Sequence, residues 1–292
     1  MHEHWARVAQ EVANTLATDV VARDRAGAAP HAEVALLREA GLLPLLVPAR
    51  SGGTGGSWRT AFEVVSRIAR VDASVGHLLG YHYLHCWRTR LGRRTEVVAR
   101  LDAGTANHRW FWGGAGNPRD AGLELEPVAG GYLVRGKKFF ATGAEVSDRV
   151  LATGTVTATK QKFGFALPTA TAGVSHGGDW DSLGQRASAS GSITFDGAFL
   201  AEEDVLGPGE QTDLDAPAYP SLSVLGFQTL LCLLAVSIAE GALQEGAAYT
   251  REKSRPWGPI STVEDPLIRS RYGELDAQVR AARALTDRAA DA

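Results

Sequence analysis

The chain has 292 residues, 45% of them apolar and 22% charged, with a formal net charge of -3 at pH 7. That composition fits two or three packed globular units and excludes a low-complexity chain. Its 30 basic residues are dispersed among 33 acidic ones, so neither a nucleic-acid nor a membrane partner is expected.

The start, Met1-His2-Glu3-His4, lacks the basic and then apolar run of a signal peptide. Trp5, Val8, Val12, Leu16 and Val20 recur at three- and four-residue spacing, which predicts an amphipathic helix. A short helix is expected around Ala32 to Ala40, ending at Gly41. After the glycine-rich stretch Ser51 to Gly56, Ser57 is a candidate N-cap for a helix over Trp58 to Val71. Another helix is expected after Ser74, and the cluster Arg88, Arg90, Arg93 and Arg94 reads as its solvated end. Two cysteines, Cys86 and Cys232, lie in apolar helical patterns, as buried thiols of a reducing compartment do, which makes the cytoplasm the expected location.

Composition changes near Trp110. Leu123 to Glu126 and Tyr132 to Arg135 alternate apolar and polar residues, and Gly130-Gly131 between them reads as a two-residue hairpin turn. Strands are expected from about 109 to 206, including Phe163 to Leu167 and Ser192 to Phe195. A polar linker over Gly207 to Pro220 precedes helices from about Ser221 to Lys253 and from about Val263 to the end. The apolar run Ser221 to Ala239 is broken by Gln228 and Thr229, which favours a buried helix over a bilayer span.

No GxGxxG follows a strand, and there is no P-loop and no CxxC pair. Rossmann dinucleotide binding, nucleotide hydrolysis and dithiol redox chemistry are therefore not expected. In the helix after Ser74, His77, Tyr81 and His85 fall at i, i+4 and i+8, one polar aromatic stripe suited to a pocket wall. A zinc site from His77, His82 and His85 is the rival, but no carboxylate or cysteinate stands at fitting spacing on that face.

Four blocks together resemble the acyl-CoA dehydrogenase superfamily: Gly41 to Gly56, Tyr132 to Gly143 (YLVRGKKFFATG), Asp179 to Phe195 (opening DWDSLGQR), and Ala239 to Ile260, which contains SRPWGP. DWDSLGQR with SRPWGP resembles the reduced-flavin-dependent monooxygenases of the dibenzothiophene monooxygenase type. The resemblance implies an α+β fold: an N-terminal α-helical domain over 1–108, a middle β-barrel-like domain over 109–206 and a C-terminal α-helical bundle over 207–292. The family continues beyond residue 292, so that bundle is expected to be incomplete here. FMN, used as FMNH2, is the implied cofactor, with FAD as an alternative.

By the same resemblance Phe140 and Trp180 flank the flavin ring, Thr142 bonds its N5 and O4 edge, and Arg255 meets the flavin phosphate across a subunit interface. His77 and Tyr81 face the flavin C4a region, while Arg186 and Ser190 shape the surrounding loop and sheet. Strand alternation would place Phe140 and Thr142 on one face. Gly114 departs from the pattern, standing where an asparagine is expected. The implied activity is monooxygenation of an apolar heteroatom or aromatic substrate through a flavin C4a-hydroperoxide, with O2, a separate flavin reductase and a homo-oligomer, tetramer or dimer, as partners. A flavin acyl-CoA dehydrogenase or oxidase is the alternative; it requires a carboxylate base, and Glu240 and Glu274 remain open for that role. A truncated non-catalytic homologue, or one subunit of a split enzyme, is the third reading.

Overall fold

The apolar stripe of the first residues folds as α1 (His2–Ala17), burying Ala9, Val12, Ala13 and Leu16. It stops two residues before α2 (Val20–Ala26), so Val20 belongs to a separate helix. In this computed structural model the described residues are 2–92, 94–208, 219–256 and 258–291. Arg93, most of the predicted linker and Trp257 of the SRPWGP motif lie outside them.

Next come α3 (His31–Glu39), α4 (Trp58–Ala69), α5 (Ala73–Arg88) and α6 (Thr95–His108). Ser57 caps α4 as expected, its side chain accepting from the Thr60 amide at 3.3 Å. The next helix starts one residue before Ser74, because Asp72 is its cap and accepts from the Val75 amide at 3.0 Å. Arg23 in α2 holds the other carboxylate oxygen of Asp72 at 2.6 Å, tying the start of α5 to the N-terminal helices.

Among the described residues eight strands form one sheet: β1 (Trp112–Ala115), β2 (Leu123–Val128), β3 (Gly131–Lys138), β4 (Arg149–Val156), β5 (Lys162–Pro168), β6 (Val174–His176), β7 (Ile193–Ala201) and β8 (Val205–Pro208). The order is β6-β7-β3-β2-β4-β5-β8, with β1 and β2 lying end to end along one edge of β4. Val128 pairs with Gly131, so the β2–β3 turn is Ala129-Gly130, one residue before the predicted pair; Gly130 takes φ 79°, the left-handed value such a turn requires.

The last helices are α7 (Tyr219–Glu252) and α8 (Pro266–Asp291). By length and composition α7 could cross a bilayer. Here Leu230, Leu233 and Leu234 are buried in the same core as α4 and α5, while Leu222, Val224, Leu225 and Leu231 are exposed. The junction of α4, α7 and α8 is polar: Glu240 accepts from Arg70 at 2.6 Å and from Arg283 at 2.8 Å, and Arg283 also reaches Ser66 and Ser237. Cys86 is buried, its thiol pushed up to about 12 by burial, whereas Cys232 is exposed, contrary to expectation.

Candidate functional site

Helix α5 carries the stripe predicted from spacing. The His77 and Tyr81 rings meet edge to face at 4.2 Å between centroids, and Tyr81 and His85 do so at 5.8 Å. Phe227 of α7 completes the row, 5.2 Å from Tyr81 and 5.8 Å from His85. No sequence pattern singled out Phe227, because only packing brings α7 onto α5.

The three histidines of α5 are not alike. His82 points away from the stripe: its Nδ1 accepts from the Trp112 amide at 3.1 Å, which leaves Nε2–H to donate to the Leu43 carbonyl at 2.8 Å. Its ring stacks on Phe111 at 5.2 Å, so His82 wires α5 to β1 and is not available as a third zinc ligand. Among the described residues no group of three His, Cys, Asp or Glu side chains is placed to hold a metal.

His77 bonds through Nδ1 to the Oε1 of Gln185. Since that oxygen can only accept, Nδ1 carries the proton and Nε2 presents a lone pair. Nε2 is buried without a partner, and so is Nδ1 of His85. Burial pushes the pKa of His77 down to about 4 despite the bond to Gln185, and holds that of His85 well below 6.5, with Arg88 adding to the effect. Both rings are neutral at pH 7. Burial also raises the Tyr81 phenol above 10, so it stays protonated as a donor.

Gln185 belongs to the DWDSLGQR loop, and the loop explains why its side chain reaches α5. The Trp180 indole donates to the Gln185 carbonyl at 3.0 Å, and Gln185 takes the left-handed φ of 54°. Arg186 anchors the loop to the Asp24 carbonyl at 3.0 Å, the Ser182 carbonyl at 2.8 Å and Asp181 at 3.1 Å. Asp179 closes its base by accepting from the amide and hydroxyl of Ser192 at 2.6 and 2.7 Å. Nothing in the local pattern distinguished Gln185 from its neighbours.

The expectation for Phe140 and Thr142 is corrected in its geometry. Strand β3 ends at Lys138, and Phe140 has φ 53°, so the two-residue alternation no longer holds. Phe140 is 67% exposed, whereas Thr142 is buried with its hydroxyl 3.0 Å from that of Ser190, which in turn lies 2.8 Å from Ser188. The Phe140 and Trp180 rings stand 6.1 Å apart at 77°, an exposed aromatic corner. A bulky residue at positive φ costs of order 1–3 kcal/mol. Phe140, Gln185 and Ala189 are three of the five described non-glycine residues in that region, and all three are in or beside this corner.

Arg255 lies beyond the end of α7, exposed, and no hydrogen bond or ion pair among the described residues ties it to this corner. Asn117 closes a turn before Pro118, bonding Asp120 at 2.9 Å and the Arg119 amide at 3.1 Å. Glu240 is occupied by Arg70 and Arg283; burial raises its pKa, but these partners outweigh that and hold it below its ordinary value. Glu274 is exposed beside Arg271 at 3.0 Å. Neither carboxylate stands ready as a general base.

The stripe of α5, the DWDSLGQR loop and the Phe140–Trp180 corner are joined through Gln185. The acyl-CoA dehydrogenase N-terminal domain model matches residues 2–92. A probable FMNH2-dependent monooxygenase, SfnC of Pseudomonas putida, is 36% identical over 97% of this chain and 72% of its own length. The chain belongs to the acyl-CoA dehydrogenase superfamily, in its reduced-flavin-dependent monooxygenase branch. The dibenzothiophene monooxygenase of Mycolicibacterium goodii is 36% identical over 99% of the chain and 73% of the relative. The crystal structure of TdsC from Paenibacillus sp. A11-2 with FMN and indole superposes with a TM-score of 0.92 at 37% identity, covering 98% of this chain and 75% of that one. That superposition spans the helix, sheet, helix order of this chain.

Proposed function

We propose that the protein is an FMNH2-dependent monooxygenase that oxygenates a small aromatic or sulfur-containing molecule, with O2 as co-substrate and reduced FMN delivered by a separate flavin reductase. The observation that carries this reading is the unpartnered Nε2 of His77, held as an acceptor by Gln185 on the stripe beside Tyr81. Bound reduced FMN would supply the electrons that activate O2. The residues present suit that group: Phe140 and Trp180 offer apolar ring faces, and His77 offers a fixed lone pair.

His77 Nε2 would accept a hydrogen bond from a protonated group in the pocket, and the Tyr81 hydroxyl would donate one. Phe227 and the buried face of α5 would exclude water from the site. Thr142 would line the flavin edge, steadied by Ser190. Arg255 would bind the flavin phosphate, a role suited to its planar guanidinium and requiring a second subunit, so a homo-oligomer is part of the proposal. The cytoplasm is the proposed location.

The test is a titration of the protein with FMN and FMNH2, followed by oxygen and a thioether or indole substrate under supply of FMNH2. Binding of reduced flavin with formation of an oxygenated product is expected, and His77→Phe should keep flavin binding while diverting oxygen to hydrogen peroxide. Product formation unaltered in that variant would remove His77 from its role; absence of binding to either flavin form would overturn the reading.

A further inference from the structure

Gly114 lies in the middle of β1, paired with Leu151, and its φ is not in the left-handed region. Backbone conformation therefore does not require glycine there. What requires it is His85: a Cβ on residue 114 would stand 2.2 Å from both Cε1 and Nε2 of the imidazole. Any side chain at 114 would displace that ring.

The ring so accommodated is 4% exposed, and its Nδ1 meets no partner. Buried polar atoms are paired in the great majority of cases, and an orphan calls for an explanation. His82, one helical turn from the stripe, has both nitrogens paired by backbone, so this fold can satisfy a buried histidine. His85 is left with aromatic neighbours, Tyr81 and Phe227, and with Gly114, whose amide bonds the Thr142 carbonyl at 3.4 Å. The orphaned nitrogen thus sits at the far end of the same stripe that begins at His77.

We propose that His85 is a specificity-determining residue of the substrate pocket: its free Nδ1 recognises one hydrogen-bonding atom of a neutral aromatic molecule lying on Tyr81 and Phe227, and Gly114 keeps the volume its ring needs. The inference rests on the stripe being a pocket wall. Neutrality of the ring favours an uncharged heterocycle over a carboxylate, which a charged histidine would bind better.

The experiment measures binding of four probes to the FMN-loaded and the flavin-free protein by tryptophan fluorescence: indole and quinoline, which carry a donor or an acceptor nitrogen, and indene and naphthalene, which carry neither. The wild type should bind at least one nitrogen heterocycle about tenfold more tightly than its hydrocarbon counterpart, the ratio of one good neutral hydrogen bond. His85→Phe should erase that preference while keeping or raising Tm, since it removes an unpaired polar atom. Gly114→Ala should erase it too, with His85 still present. No preference in the wild type, a preference surviving in His85→Phe, or binding of no probe would each overturn the proposal. So would a lowered Tm of His85→Phe with loss of all four probes, the mark of a structural histidine. If the heterocycle preference holds in flavin-free protein that fails to take up FMN, the flavin reading falls and this one stands.

Discussion

Gln185 and His77, 108 residues apart, are joined by a hydrogen bond that fixes which imidazole nitrogen carries the proton. The loop that supplies Gln185 is itself held by Trp180 and Arg186, so contacts remote from α5 decide the tautomer of His77. Gln185→Leu should leave the fold intact, because the remaining loop anchors are untouched, and should free His77 to take either tautomer. The expected outcome is roughly tenfold weaker coupling of oxygen uptake to product, with FMN affinity changed little, read as the ratio of hydrogen peroxide to product. Unchanged coupling would show that Gln185 does not orient His77.

The buried neutral histidines of α5 make stability depend on pH. Burial lowers both His77 and His82 from 6.5 to about 4. In the unfolded chain each takes up a proton as pH falls through 6.5, while the folded protein does so only near 4. The unfolded state therefore binds more protons in that window, and the stability these two contribute is full above 6.5, falls between 6.5 and 4 and levels below. For His82, wholly enclosed, the loss amounts to at most about 3 kcal/mol; His77, partly open to solvent, contributes less. Urea midpoints should drop steadily from pH 7 to pH 4, and His77→Phe should flatten part of that slope. An unchanged slope would mean that His77 gains no proton on unfolding.

Gly241 of α7 lies against the end of α4 so closely that a Cβ there would stand 2.0 Å from the Arg70 carbonyl oxygen. The obstacle is backbone, which cannot swing aside as a side chain can. Gly241→Ala should cost about 1–3 kcal/mol by overpacking, seen as a fall in Tm of roughly 5 °C. It should also loosen the Glu240 bridge to Arg70, whose distance is 2.6 Å. A variant with wild-type Tm would mean that the helices separate without penalty.

What the sequence made legible was local. The cap at Ser57 and the register of His77, Tyr81 and His85 follow from spacing along single helices, and the structure places them so. What it hid was set by contacts between distant segments. Gln185 and Phe227 enter the site through a loop anchored on α2 and a helix packed on α5, contacts that no local pattern specifies. The strand expected through Thr142 fails because Phe140 adopts φ 53°, a conformation that propensity assigns to glycine or asparagine. Gly114 read as a missing side chain; its physical meaning appears only when the His85 ring is seen in the space.

Phe140 offers the most direct test of the aromatic corner. Its ring is largely in solvent and touches Trp180 edge to face, so it contributes little to the core. Phe140→Ala should therefore leave Tm within about 1–2 °C of the wild type, the usual range for a surface substitution. If the corner packs on a flavin ring, the same variant removes apolar area that becomes buried only in the complex, and FMN affinity should fall by roughly tenfold. Trp180→Phe should weaken FMN binding too, and should also slacken the loop, because the indole bond to the Gln185 carbonyl is lost. Calorimetric titration with FMN alongside thermal unfolding separates the two effects. Should Phe140→Ala bind FMN as the wild type does, the exposed ring at positive φ is not a flavin contact, and its strain must be sought in another ligand of the same corner.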